Sequence, residues 1–116
     1  MQDPDLNLLI TAAQKAGELA KNYDFKRLKV WEKEGAGGPV TEADIEIDRM
    51  LFQYLTAARP DYGWLCEEST NDFPHYERAC SFVIDPIDGT RDFIKGGNNW
   101  SHSFAVVKNG KVSAAV

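Results

Sequence analysis

The segment Phe82-Val83-Ile84-Asp85-Pro86-Ile87-Asp88-Gly89-Thr90-Arg91-Asp92-Phe93 carries the densest set of chemically capable residues in this 116-residue chain. It lies in an acidic stretch. From Asp61 to Asp92, eight acids stand against only Arg78 and Arg91, a local balance of −6 in a chain whose net charge is −5. Carboxylates gathered at one point repel each other, and some protonate unless a cation joins them. An all-oxygen donor set suits Mg²⁺ or Mn²⁺ rather than zinc. Glu67, Asp85 and Asp88 sit at or just past the apolar runs Trp64 to Cys66 and Phe82 to Ile84. Such runs read as buried strands, and strand ends are where α/β proteins place ligands. On this reading Asp85 ends its strand and a turn brings Asp88 back beside it. Pro86 fixes φ and offers no competing donor. Gly89 lets a phosphate approach the backbone closely. Thr90 stands at the start of a short helix, Arg91 to Lys95. There the free N–H groups and the helix dipole favour an anion, and the hydroxyl can orient a water. A lone Asp-x-x-Asp-Gly is more simply a cap and a turn. Here Asp44 and then Glu67-Glu68 precede it along the chain.

Several elements must hold these residues. Leu6, Leu9, Ala13, Ala16 and Ala20 recur at helical spacing and predict a helix over Asp5–Asn22 with a narrow, alanine-rich stripe. Phe25 to Trp31 changes to a period of two and reads as a strand with one wet face. Glu34 to Pro39, with three glycines and a proline, is a loop. It is not a P-loop, since no Gly-Lys-Ser/Thr follows. Thr41-Glu42-Ala43-Asp44 is a near capping box, with Asp in place of the usual Glu, and opens a second helix to Ala58. Ile47, Met50, Leu51, Tyr54 and Leu55 line one of its faces. Phe104 to Val107 and Val112 to Val116 flank Asn109-Gly110, a strong hairpin signal. The fold class is α/β: paired helices layered on a largely antiparallel sheet from Trp64 onward. Val116 closes an apolar run with no stop signal after it, so the chain reads as a fragment of a longer protein.

Asp85-Pro86-Ile87-Asp88-Gly89-Thr90 resembles the signature of the inositol monophosphatase superfamily, lithium-sensitive, magnesium-dependent phosphomonoesterases that include bisphosphate-nucleotidase and histidinol-phosphatase branches. Cys66-Glu67-Glu68-Ser69 is similar to its upstream Gly-Glu-Glu-Ser/Thr element, with Cys where Gly is usual. Pro39-Val40-Thr41-Glu42-Ala43-Asp44 is similar to its Val-Thr-x-x-Asp element, and Trp100 to Val107 to the strand after the signature. The resemblance implies a layered sandwich of which residues 1–116 are the N-terminal metal- and phosphate-binding portion. It implies Mg²⁺ held by Glu67, Asp85, the Ile87 carbonyl and Asp88. It further implies phosphate received by Gly89 and Thr90 beside Asp88. The attacking water would be oriented by Thr90, itself hydrogen-bonded to Asp44, with help from Glu67. A further metal-binding aspartate and the wall for the substrate's alcohol would lie beyond Val116, so the isolated segment is expected to turn over little. The family also suggests a homodimer.

Each residue has a plainer reading beside this one. Asp44 fits the capping box as its fourth residue, a structural role. Cys66 reads as a small buried hydrophobe rather than a nucleophile. Glu68 reads as an acid outside the metal's direct ligands. His75 and His102 are isolated, and neither has a partner at metal-ligand spacing. Trp31, Trp64 and Trp100 read as core or site walls. The acidic balance argues against direct nucleic-acid binding, which needs a basic face. No apolar run approaches the ~20 residues of a membrane span. Two cysteines make no disulfide framework, and a reducing cytoplasm is the default. The leading function is a Mg²⁺-dependent phosphatase acting on a small phosphate monoester such as inositol monophosphate. Thr90-Arg91-Asp92-Phe93-Ile94 departs from the Thr-Thr-Asn-Phe of true inositol monophosphatases and favours bisphosphate nucleotides or histidinol phosphate as alternatives. A reading from another class is a protein-binding regulatory role in RNA processing or transcription.

Overall fold

The computed structural model describes residues 3–33, 38–66 and 78–116. Helix α1, Pro4–Lys21, starts where Asp3 Oδ1 accepts the Asp5 N–H at 2.8 Å. Proline suits this first position because its missing N–H would have no helical partner there. The buried face is Leu9, Ala12, Ala16 and Ala20, with Leu6 and Ala13 partly covered. The stripe therefore runs one residue differently from its sequence pattern. Helix α2, Glu42–Ala58, buries Ala43, Ile47, Leu51 and Leu55 completely. The alanines of α1 let the two helices approach closely, and their buried residues join one core.

The expected strand over Phe25–Trp31 is largely absent. Asp24 Oδ1 accepts the Lys26 N–H at 3.0 Å, and the Asp24 carbonyl accepts the Arg27 N–H at 2.9 Å. This aspartate turn takes the backbone groups a strand would need. What forms is the short β1, Val30–Glu32, antiparallel to β2, Pro39–Thr41. Trp31 is 46% exposed, so it is not a core residue.

The main sheet has four strands in the order β3 (Gly63–Cys66), β4 (Cys80–Asp88), β5 (Ser101–Lys108), β6 (Lys111–Ala115). The β3–β4 pair is parallel and the other two pairs are antiparallel. A five-residue helix α3, Thr90–Ile94, follows β4. Asn109 and Gly110, at φ 51° and 81°, form the two-residue hairpin loop that the sequence pointed to. Alternation sorts the sheet into two faces. Trp64, Cys66, Phe82, Ile84, Phe104 and Val106 point into the core with both helices. Phe82 packs against Tyr62 and Trp64, and Trp64 meets the edge of Phe52 at 5.3 Å. Truncating so enclosed a Phe costs about 3–5 kcal/mol. The opposite face presents Leu65, Val83, Asp85, Ser103 and Ala105, which line an open cleft of about 370 Å³.

One polar cluster ties the ends of the helices together. Asp5 accepts hydrogen bonds from Arg59 Nε at 2.9 Å and from the Tyr62 hydroxyl at 2.8 Å. Asp5 holds the Arg59 guanidinium firmly cationic. Burial, reinforced by the Asp5 carboxylate, pushes the Tyr62 hydroxyl up to about 12. Among the described residues, no helix is long and apolar enough to cross a membrane.

Candidate functional site

Strand β4 does not stop at Asp85. It continues to Asp88 through an irregularity. Asp85 pairs with Ser103 and Asp88 with Ser101, so three steps along β4 match two along β5. One extra residue is inserted, and Pro86 and Ile87 together oppose His102. That is a β-bulge. Its consequence follows from the period of two. In a regular strand, residues three apart face opposite ways. The inserted residue restores the match. Asp85 and Asp88 share the open face of the sheet, opposite Ser103 and Ser101, while Pro86 and Ile87 turn into the core. The two carboxylates are thus brought to one face by a bulge, where the sequence suggested a turn.

Asp85 Oδ1 is buried, Asp85 as a whole is half-buried, and Asp88 is exposed. Among the described residues, no three His, Cys, Asp or Glu side chains cluster as a metal site. Glu67, Glu68 and His75 lie outside the described residues. The oxygens on hand are the Asp85 and Asp88 carboxylates and the Ile87 carbonyl, a donor set that fits a hard divalent cation.

Thr90 begins α3 immediately after Gly89. Its hydroxyl lies 3.3 Å from Asp44 Oδ1 and 3.1 Å from the Ile87 carbonyl. Both neighbours are acceptors, and a hydroxyl has one proton. Its lone pairs therefore remain to accept a hydrogen bond from a water. Asp44 is completely buried. Its Oδ2 accepts the Thr41 N–H at 2.8 Å and the Thr41 hydroxyl at 2.6 Å, and its own N–H donates to Thr41 Oγ1 at 3.2 Å. The capping box and the contact to Thr90 therefore coexist. One oxygen serves the helix start and the other reaches toward Thr90.

Gly89 has a φ of 94°, which L side chains rarely adopt. A Cβ there would stand 2.6 Å from the Asn99 carbonyl oxygen. The glycine is thus required by the packing of residues 99–100 as well as by its own backbone. That packing is held by Asp92, whose Oδ2 accepts the Asn99 N–H at 2.6 Å. Gly38 also closes on this region: a Cβ there would lie 3.2 Å from Arg91 Nη2. The segment around Gly38 and the start of α3 are neighbours.

The sequence profile of the inositol monophosphatase family matches residues 1–116. The chain belongs to that family. It is 34% identical over 113 residues to an inositol-1-monophosphatase of Rhizobium meliloti, covering 96% of this chain and 42% of the relative. It is 42% identical over 94 residues to a histidinol-phosphatase of Chlorobaculum parvum, covering 80% and 35%. The crystal structure of the extragenic suppressor protein suhB from Bartonella henselae superposes with a TM-score of 0.87 at 34% identity, covering 98% of this chain and 44% of that one. The chain thus spans about two-fifths of the length of the relatives it matches. The inositol monophosphatase fold expected from the signature is present in this portion: two helices on a mainly antiparallel sheet.

Sequence reasoning passed over two contributors. Asp92 has no structural role legible in the sequence, yet it anchors the loop that packs on Gly89. His102 looked isolated, yet Nδ1 is 2.5 Å from the Pro86 carbonyl. A histidine two residues before the core-facing Phe104 was the available signal, since it shares that inward face of β5.

Proposed function

We propose that this chain is the metal- and phosphate-binding part of a phosphatase that hydrolyses a small phosphate monoester, such as inositol monophosphate, by attack of water. The observation that carries the reading is the bulge. It sets Asp85 and Asp88 on one face and is followed directly by Thr90, whose hydroxyl reaches buried Asp44. Glu67, Asp85, Ile87 and Asp88 would hold Mg²⁺, which when bound supplies Lewis-acid stabilisation of charge on the attacking and leaving oxygens. The chain's own groups do the rest. Gly89 and Thr90 receive the phosphate through their N–H groups. The Thr90 hydroxyl can donate to Asp44 Oδ1. Its lone pair then faces the water and accepts one of its protons' hydrogen bonds, aiming the oxygen at phosphorus. Glu67 assists in drawing off the proton. Buried Asp44, fixed by Thr41, holds its other oxygen toward the Thr90 hydroxyl, so little reorganisation accompanies the reaction.

The substrate lies among three branches. The 42% identity to a histidinol-phosphatase, together with Arg91 and Asp92 after Thr90, favours histidinol phosphate as the second reading, with bisphosphate nucleotides beside it. A regulatory role through protein contacts is supported by relatives named Nus factor SuhB, 32% identical over 114 residues in Escherichia coli. Phosphate release by the full-length protein, from inositol phosphate, histidinol phosphate and a nucleotide bisphosphate with Mg²⁺, tests the reading. Turnover of one of these, abolished by Asp85→Asn, is the expected result. Absence of turnover on all three would count against an enzyme and toward the regulatory role.

A further inference from the structure

We infer that His102 is a positioning residue, which fixes the bulge and thereby the alignment of Asp85 with Asp88. This rests on the metal-binding role proposed for those two carboxylates. A bulge interrupts the ladder of backbone hydrogen bonds, leaving groups that the partner strand's backbone does not reach. Here it contains Pro86, which brings no N–H of its own, and whose carbonyl is turned toward β5. His102 is the single residue of β5 opposite the bulged pair, as the registers on either side require. Its Nδ1 lies 2.5 Å from the Pro86 carbonyl oxygen. A carbonyl can only accept, so Nδ1 carries the hydrogen and donates it. The side chain thus supplies a donor to a carbonyl of the bulge.

The ring packs against neighbours on several sides. It stacks on Phe104 at 5.6 Å and 21°, and meets the edge of Trp100 at 5.7 Å. Trp100 in turn donates from Nε1 to the Gly97 carbonyl and packs edge-on against Phe93 of α3. On the far side lies α1 at Gly17, where an added Cβ would be 3.9 Å from Nε2. This glycine faces the imidazole. The donor is therefore aimed by β5, α3 and α1 together. The carbonyl it grips lies one residue from Asp85 and two from Asp88. Groups that orient a metal's ligands without touching the metal commonly change its affinity or the activity by about 10–100-fold when removed.

The test uses full-length protein and the metal alone as probe: Mn²⁺ affinity by paramagnetic resonance titration, with turnover against Mg²⁺ concentration alongside. His102→Phe keeps the stacking and removes the donor. His102→Asn places an amide N–H close to the position of Nδ1, whereas His102→Gln reaches toward Nε2 instead. The expected result is that Phe and Gln weaken Mn²⁺ binding at least about 10-fold, with a matching rise in the Mg²⁺ needed for half-maximal rate, while Asn stays within a few-fold of wild type. Should the Phe variant fail to fold, the Asn–Gln contrast decides. Wild-type affinity in both Phe and Gln, or equal losses in Asn and Gln, would overturn the inference. Asp85→Asn separates the two ideas: if it too binds Mn²⁺ as wild type does, the metal-site reading has failed rather than the role of His102.

Discussion

Asp44 is where the structural and chemical readings meet, and an isosteric change can pull them apart. In Asp44→Asn one oxygen becomes an NH₂ group. The orientation is dictated by Thr41, whose N–H donates to this side chain at 2.8 Å. Turning the NH₂ toward it would set two donors face to face, so the amide oxygen stays at Thr41 and the NH₂ faces Thr90. The capping box then survives with weaker, neutral acceptance, costing about 1 kcal/mol. At Thr90 the polarity reverses. The NH₂ donates to Oγ1, and the hydroxyl proton must go to the Ile87 carbonyl, 3.1 Å away. One of the two lone pairs of Oγ1 is now occupied, and the hydroxyl no longer donates to residue 44. Loss of one charge-assisted hydrogen bond, about 1.5–3 kcal/mol, corresponds to about 10- to 150-fold in turnover at 1.36 kcal/mol per factor of ten. Asp44→Ala removes the cap as well. It leaves the buried Thr41 N–H and hydroxyl without their acceptor, at about 3 kcal/mol in all. The assay pairs urea denaturation with phosphate release by the full-length protein. Asn should be nearly as stable as wild type and much slower; Ala should lose both. An Asn variant as active as wild type would reduce Asp44 to a helix cap. An Asn variant as unstable as Ala would refute the assignment of one oxygen to each role.

Gly89→Ala should destabilise by more than Gly110→Ala. Both positions have positive φ, at about 1–2 kcal/mol of backbone strain, but only at Gly89 does a Cβ collide with backbone, the Asn99 carbonyl at 2.6 Å, while Gly110 has open space. Equal denaturation midpoints for the two would contradict that packing. Tyr62→Phe should cost about 1 kcal/mol at neutral pH by removing a hydrogen bond to Asp5. The Tyr62 hydroxyl ionises near pH 10 when unfolded and at about 12 when folded, so its contribution is complete below pH 10 and is lost as pH rises toward 12. The difference in stability between wild type and Tyr62→Phe should therefore shrink over that window; a difference constant from pH 9 to 12 would remove Tyr62 as the cause.

Local chemistry wrote much of this protein directly into its sequence. The alanine stripe of α1, the capping box at Thr41–Asp44 and the Asn109-Gly110 hairpin were legible because each depends on neighbours within four residues. The family was legible because its motifs are contiguous. What escaped needed a partner strand or helix. Leu28 and Val30 alternate with Arg27 and Lys29 as a strand should, but the Asp24 turn claims the backbone of Lys26 and Arg27 first. Nothing in Asp-Pro-Ile-Asp says that a bulge, rather than a turn, brings both acids to one face; that depends on the register against Ser101 and Ser103. Gly89 looked free to welcome a phosphate until Asn99, ten residues on, was seen against it. His102 has no sequence neighbour that would reveal its task, because the carbonyl it holds arrives from sixteen residues away across a sheet. Short-range hydrogen bonds and periodicity specify elements. The alignment of the site is set by long-range pairing, in which one inserted residue reverses every face beyond it.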